Sequence, residues 1–99
     1  MENTVIVFTS DNGGVAADDN HATTNLPLRA GKGYNYEGGI RESFFIRVPW
    51  LKSGGRSCQT PAIGMDFYPT LLGLAGGQVE LGALDGVDLM PLIRGGEIE

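Results

Sequence analysis

The run of β-branched and aromatic residues at positions 4–9, TVIVFT, most constrains what this chain can fold into. An apolar run without alternation is typical of a strand that is buried on both faces of a sheet. Such a strand needs partner strands along its edges and covering layers above and below. A chain of 99 residues offers few segments that could supply them.

Three further segments carry a secondary-structure pattern. Residues 43–48 predict a second strand, and residues 65–75 predict an amphipathic helix with Asp66 as its N-cap and Gly76-Gly77 at its end. Residues 84–93 read as a turn followed by a short apolar segment of one or two helical turns.

These elements predict an α/β fold that is incomplete as a closed domain, because two strands and one amphipathic helix do not enclose a core. We treat residues 1–99 as one unit, either a piece of a larger α/β protein or a domain completed by an oligomeric partner. The large aromatic residues Trp50, Phe67 and Tyr68 are expected in its core.

Composition excludes several classes of protein. With 41% hydrophobic and 19% charged residues the chain is not of disordered type, and its net charge of −5 argues against nucleic-acid binding. No apolar run approaches the roughly 20 residues that span a membrane, and the first residues do not resemble a signal peptide, so the compartment stays unknown. The single cysteine, Cys58, forms no intrachain disulfide and is expected to be an ordinary free thiol.

Two oxygen-bearing side chains, Asp11 and Asn12, follow directly on the first strand. Ligands of open α/β sheets bind outside the carboxyl ends of strands, and Ca²⁺ and Mg²⁺ prefer such oxygen donors. An Asx turn is the alternative, because Asp-Asn-Gly-Gly is also a plain turn sequence. Two ligands are also too few for Ca²⁺, which takes six to eight.

A second cluster lies in the segment LRAGKGYNYEGGIRE, residues 28–42. The glycines on both sides of Lys32 let the backbone approach an anion closely while its ammonium group supplies charge. Arg29 and Arg41 could add charge-assisted hydrogen bonds, or could pair with Glu37, Glu42 or Asp11. The polar loop between the clusters holds His21 and the run Asp18-Asp19-Asn20, which we expect to be solvated.

In their order and spacing, five blocks resemble the sulfatase family of the arylsulfatase A-like type, and together they cover nearly the whole chain. They are FTSDNG at 8–13, LRAGKG at 28–33, YEGGIRE at 36–42, DFYPTLLGLAG at 66–76 and LDGVDLMPL at 84–92.

The resemblance implies a role for several residues. Asp11 and Asn12 correspond to ligands of a divalent metal, usually Ca²⁺, and Lys32 corresponds to a lysine that contacts sulfate oxygens. The block around Glu37 and Arg41 is expected to support the site. The fold implied is a portion of the sulfatase, or alkaline-phosphatase-like, α/β sandwich.

The family's nucleophile is formylglycine, made from the first residue of a Cys/Ser-x-Pro/Ala-x-Arg motif, and this motif does not occur in the 99 residues. Cys58 does not fit it, since Gln59, Thr60 and Pro61 follow. The resemblance therefore implies the later part of the catalytic domain, with a sulfate ester as substrate if the missing part completes it.

Three functions remain open at this point. The chain could be a portion of a sulfuric-ester hydrolase that is inactive in isolation. It could belong to a phosphate or phosphonate ester hydrolase of the same superfamily. It could also be a non-catalytic binding module derived from a sulfatase, and we expect it to form homo-oligomers.

Overall fold

A computed structural model describes residues 2–16, 23–52, 54–78, 80 and 82–98. The chain divides into two compact units, residues 1–50 and residues 51–99, and each is described by itself.

The first unit contains a two-stranded antiparallel sheet. Strand β1 (Ile6–Thr9) pairs with strand β2 (Phe44–Arg47), with Thr9 opposite Phe44 and Ile6 opposite Arg47. The rings of Phe8 and Phe45, which are opposite one another, lie 5.9 Å apart between centroids. Both strands lie where the sequence predicts them.

The predicted burial of the first strand is wrong for this chain. Ile6 is 38% exposed and Phe8 is 62% exposed, and only Val7 of β1 is half-buried. Within the described residues of the first unit, β1 has one neighbour, β2. An apolar run reports a preference for burial, but the covering layers must come from elsewhere.

A long connection joins the two strands and ends in helix α1 (Glu37–Ile40). Its described part, residues 10–16 and 23–36, consists of turns and bends, as the absence of helical or strand periodicity in the sequence indicates. It includes a cis peptide bond at Leu26-Pro27. Gly38 and Gly39 of α1 are buried.

The second unit is helical. A 3₁₀ turn (Gly64–Asp66) leads into helix α2 (Phe67–Leu74), and a short helix α3 (Met90–Arg94) follows. Gly76 ends α2 with φ at +82°, and the amides of Gly76 and Gly77 bond the carbonyls of Gly73 and Leu72. This is a Schellman ending, and it confirms the helix end predicted from the glycine pair.

The interior of this unit is polar as well as apolar. Asp66 is 6% exposed and Thr70 is 1% exposed, beside Leu89 at 2%. The Thr70 hydroxyl donates to the Asp66 carbonyl at 2.6 Å and accepts the amide of Leu89 at 2.8 Å. Buried polar groups of this kind stabilise a fold when they are paired.

Asp66 occupies the N-cap position of α2, as predicted, but its side chain does not make the expected capping bond. Its carboxylate accepts the amides of Ile63 at 2.8 Å and of Val87 at 2.9 Å, and makes no side-chain cap bond to the helix that follows. Asp66 therefore joins α2 to the segment before α3, because its carboxylate binds the amide of Val87, 21 positions away in the chain.

Two predicted core residues lie at the surface, because Trp50 is 49% and Tyr68 is 62% exposed. Phe67 is half-buried, in closer agreement with its predicted core position. None of the described helices has the length and apolar character needed to cross a membrane.

Candidate metal and anion site

Asp11 and Asn12 lie in a bend just beyond the end of β1. The hydroxyl of Ser10 donates to the carbonyl of Asn12 at 2.8 Å, so a serine, and not either Asx side chain, closes this turn. Asp11 is exposed and Asn12 half-buried. Neither of their side chains forms a hydrogen bond or ion pair with any residue that the structure describes, which leaves their oxygens available.

Backbone hydrogen bonds join this bend to the segment around Lys32. The amide of Lys32 donates to the carbonyl of Gly14 at 3.1 Å, and the amide of Gly13 donates to the carbonyl of Gly39 at 3.2 Å. The two sequence blocks that were predicted to carry the site are therefore held together by main-chain contacts. The block at 36–42, which contains α1, is part of the same contact through the Gly39 carbonyl.

Asn25 is a central residue of this contact that the sequence did not single out. Its side-chain amide donates to the carbonyls of Gly14 at 2.9 Å and Ala30 at 3.0 Å, while its Oδ1 accepts the amide of Gly14 at 3.2 Å. Because its partner Gly14 is 11 positions away, this contact produces no recognisable pattern in the sequence around Asn25. The only available signal was an Asn in a loop between two motif blocks.

The glycines permit an approach too close for side chains. A Cβ atom on Gly13 would overlap the carbonyl oxygen of Gly38, and one on Gly38 would overlap the carbonyl oxygens of Ala30 and Arg29. Ala30 itself adopts φ of 61°, an uncommon conformation for a residue with a side chain. The glycine-rich composition therefore serves backbone packing at this point.

The cationic side chains divide into two groups. Arg41 pairs with Glu37 at 3.3 Å across one turn of α1, which confirms the structural alternative considered for it. The guanidinium of Arg29 lies over the ring of Tyr36, 3.8 Å from its centroid. The side chains of Arg29 and Lys32 are exposed and form no ion pair within the described residues.

The described residues alone do not complete a metal site. Among them, no three His, Cys, Asp or Glu side chains lie close enough to hold an ion. His21 and the run 18–20 lie outside the described residues. Asp11 and Asn12 thus offer oxygen donors of the right chemical kind, but too few of them.

Cys58 is an exposed free thiol, as predicted. Hydrogen bonds to the side chain and then the backbone of Thr60 lower the pKa of its thiol below the ordinary value. It lies in the second unit, while Asp11 and Lys32 lie in the first.

Comparison with known proteins agrees with the fold and with the sequence blocks. A family model for sulfatases matches residues 1–77. Mouse arylsulfatase J is 41% identical over 95 residues, covering 95% of this chain, and human arylsulfatase A is 38% identical over 95 residues, covering 96%. The crystal structure of Ps i-CgsB superimposes with a TM-score of 0.79 at 40% identity over 93% of this chain.

This chain belongs to the sulfatase family, and its fold is part of the sulfatase α/β fold. The match extends over only 15% of arylsulfatase J, 18% of arylsulfatase A and 20% of the Ps i-CgsB chain. The chain thus spans a small part of the length of the relatives it matches.

We predict that Asn25→Ala loosens the contact between the bend and the Lys32 segment. Three hydrogen bonds are lost, each worth about 1 kcal/mol net, so local opening becomes easier. The exchange of the Lys32 amide, measured by hydrogen–deuterium exchange, should accelerate roughly tenfold or more. Asn35→Ala, which removes an exposed amide from the same connection, is the control, and equal acceleration in both variants would refute the role of Asn25.

Proposed function

We propose that this chain carries the electrostatic part of a sulfatase active site. Asp11 and Asn12 act as two ligands of a divalent cation, Ca²⁺, and Lys32 contacts the sulfate group of a sulfate ester. The hydrogen bond from the Lys32 amide to the Gly14 carbonyl carries this proposal, because it joins the backbone that bears Lys32 to the segment that follows Asp11 and Asn12.

The metal proposal rests on donor chemistry. Carboxylate and amide oxygens suit Ca²⁺, and those of Asp11 and Asn12 have no competing partner among the described residues. Since Ca²⁺ takes six to eight oxygens, the other ligands must come from beyond this pair. A bound ion would stabilise negative charge that develops on the ester oxygens.

The anion proposal rests on charge. On a chain with a net charge of −5, Arg29 and Lys32 are two exposed cations, three positions apart, that lack carboxylate partners within the described residues, and they supply local positive charge. We assign Lys32 the sulfate contact, which stabilises charge during cleavage, and Arg29 a supporting role in binding.

Hydrolysis by this chain alone is not expected, because the motif that yields the family's nucleophile does not occur in these residues. Cys58 is no substitute, since its neighbours do not match that motif. Membership of the sulfatase family favours a sulfate ester over a phosphate or phosphonate ester as the substrate of the complete enzyme.

The purified chain should not release product from a chromogenic aryl sulfate or from the matching aryl phosphate. Binding groups without a nucleophile do not break the ester bond. Both substrates are followed spectrophotometrically at high protein concentration, with Lys32→Ala to identify contaminating activity. Turnover that Lys32→Ala abolishes would contradict the proposed inactivity, and the preferred ester would then identify the substrate class.

Calcium binding should be weak, with a dissociation constant on the order of millimolar, because the site has too few ligands. Asp11→Ala should abolish this binding, because it removes the one carboxylate of the pair. Calorimetric titration with CaCl₂ measures the affinity. Asp85→Ala is the matched control, since it removes another exposed carboxylate, from the second unit. If both variants bind calcium as the unmodified chain does, Asp11 is not a ligand.

We also propose that copies of the chain self-associate through the β1–β2 sheet. Phe8 and Phe45 are 62% and 64% exposed on this sheet, and among the described residues β1 is paired along one edge only. An exposed apolar strand edge is a template for pairing with another chain. A second copy could therefore cover surface that the described residues leave open.

Light scattering after gel filtration should find a dimer or larger species, and Phe8→Ser should shift the population toward monomer because it removes apolar surface from the sheet. Tyr68→Ser is a matched control, because Tyr68 is also 62% exposed but lies on α2. A monomeric unmodified chain, or an equal effect of both substitutions, would refute association through the sheet.

A further inference from the structure

We propose that Tyr36 is a positioning residue that holds the Arg29 guanidinium beside Lys32, so that the two cations bind one sulfate group together. This inference rests on the proposed sulfate contact of Lys32. In this proposal Tyr36 orients Arg29, and both Arg29 and Lys32 contact the sulfate oxygens directly.

The first support is the cation–π contact. The Arg29 guanidinium carbon lies 3.8 Å from the centre of the Tyr36 ring, well within the roughly 6 Å range of this attraction. Tyr36 is 45% exposed, so the pair lies at the surface, where an anion can reach it. Stacking occupies the face of the guanidinium and leaves the N–H groups at its edge free to donate to sulfate oxygens.

The second support is that both partners are anchored by their backbones. The Arg29 carbonyl accepts the amide of Gly38 at 2.8 Å, and the Tyr36 carbonyl accepts the amides of Gly39 at 2.8 Å and Ile40 at 3.2 Å. The contact therefore joins two fixed points of the chain. A stacked guanidinium on a fixed backbone loses less freedom on binding than a free one.

The third support is the position of Lys32, whose amide is bonded to the Gly14 carbonyl. Residues three apart lie at most about 11 Å from one another even in an extended chain. The long side chains of Arg29 and Lys32 can close this span around a single sulfate. Arginine offers a planar fork of donors and lysine a compact charge, which together match a tetrahedral dianion.

Charge in the first unit agrees with this assignment. Arg41 is paired with Glu37, and Arg47 has its own interaction. Arg29 has an aromatic partner in place of a carboxylate, as far as the described residues extend. An aromatic partner orients a cation without neutralising it, whereas a carboxylate would compete with the anion.

The test is titration of the 99-residue chain with sodium sulfate at constant ionic strength, followed by ¹H–¹⁵N NMR shifts. Tyr36→Leu removes the ring face and should weaken sulfate binding roughly two- to fivefold, the range expected of an exposed cation–π contact. Tyr36→Phe keeps the ring face and should bind as the unmodified chain does. Lys52→Ala, which removes an exposed charge in the second unit, should have no effect.

Variants of Arg29 show whether Tyr36 acts by positioning the guanidinium or only by packing. Arg29→Lys leaves Tyr36 intact and keeps the charge but loses the planar fork, so it should also weaken binding. In Arg29→Ala, adding Tyr36→Leu should cause no further loss, because the ring acts only through the guanidinium. Circular dichroism checks that each variant keeps its fold, and Arg29→Lys decides the matter if Tyr36→Leu does not fold.

The outcomes distinguish this inference from the proposed function. If Lys32→Ala abolishes sulfate binding while Arg29→Lys and Tyr36→Leu leave it unchanged, this inference fails and the role of Lys32 stands. If only the Arg29 and Tyr36 variants weaken binding, the role of Lys32 fails, and the shared contact of the two cations fails with it. If the unmodified chain binds no sulfate, both are overturned.

Discussion

The candidate site depends on the carbonyl group of Gly14. This oxygen accepts the amide of Lys32 and the side-chain amide of Asn25, so it fixes the Lys32 segment beside the bend that follows β1. The remaining contacts are arranged around it: Asn25 extends the network to Ala30, and Gly13 packs on the start of α1. The side chains proposed to bind ions hold none of this together, because the backbone and one asparagine do so.

Because the backbone holds the segments together and the side chains do not, the local sequence is rich in glycine. Glycine at positions 13 and 38 allows main chain to pack on main chain, where any Cβ would collide with a carbonyl oxygen. Asp11, Arg29 and Lys32 are then free to remain exposed, without an ion-pair partner among the described residues. A site built this way keeps its geometry without using the groups that would meet the ligand, which is the preorganisation that electrostatic catalysis requires.

The sequence predicted local structure well and tertiary relations poorly. Both strands, the long helix and its glycine ending are set by neighbouring residues, so their patterns could be read directly. Burial was misjudged at Phe8, Trp50 and Tyr68, because apolar character predicts cover only if the chain supplies it. Family resemblance located Asp11, Asn12 and Lys32 in blocks that the structure joins, and their roles stay predictions. The contacts of Asn25 with Gly14 and of Asp66 with the Val87 amide join residues 11 and 21 positions apart, and the stacking of Arg29 on Tyr36 joins two separate sequence blocks, so no local pattern indicates them.

The pairing of β1 with β2 has a further consequence for the site. Thr9 and Phe44 are opposite one another at the point where both strands meet the long connection. The pairing of β1 with β2 therefore holds together the two ends of the connection that carries the candidate site. A slip of one residue in this register would shift one end by about 3.3 Å and turn every side chain of that strand to the other face. The register of the short sheet therefore fixes the distance between the two ends of the loop. A deletion within β1 would disturb the candidate site more than a deletion of equal length at an exposed turn.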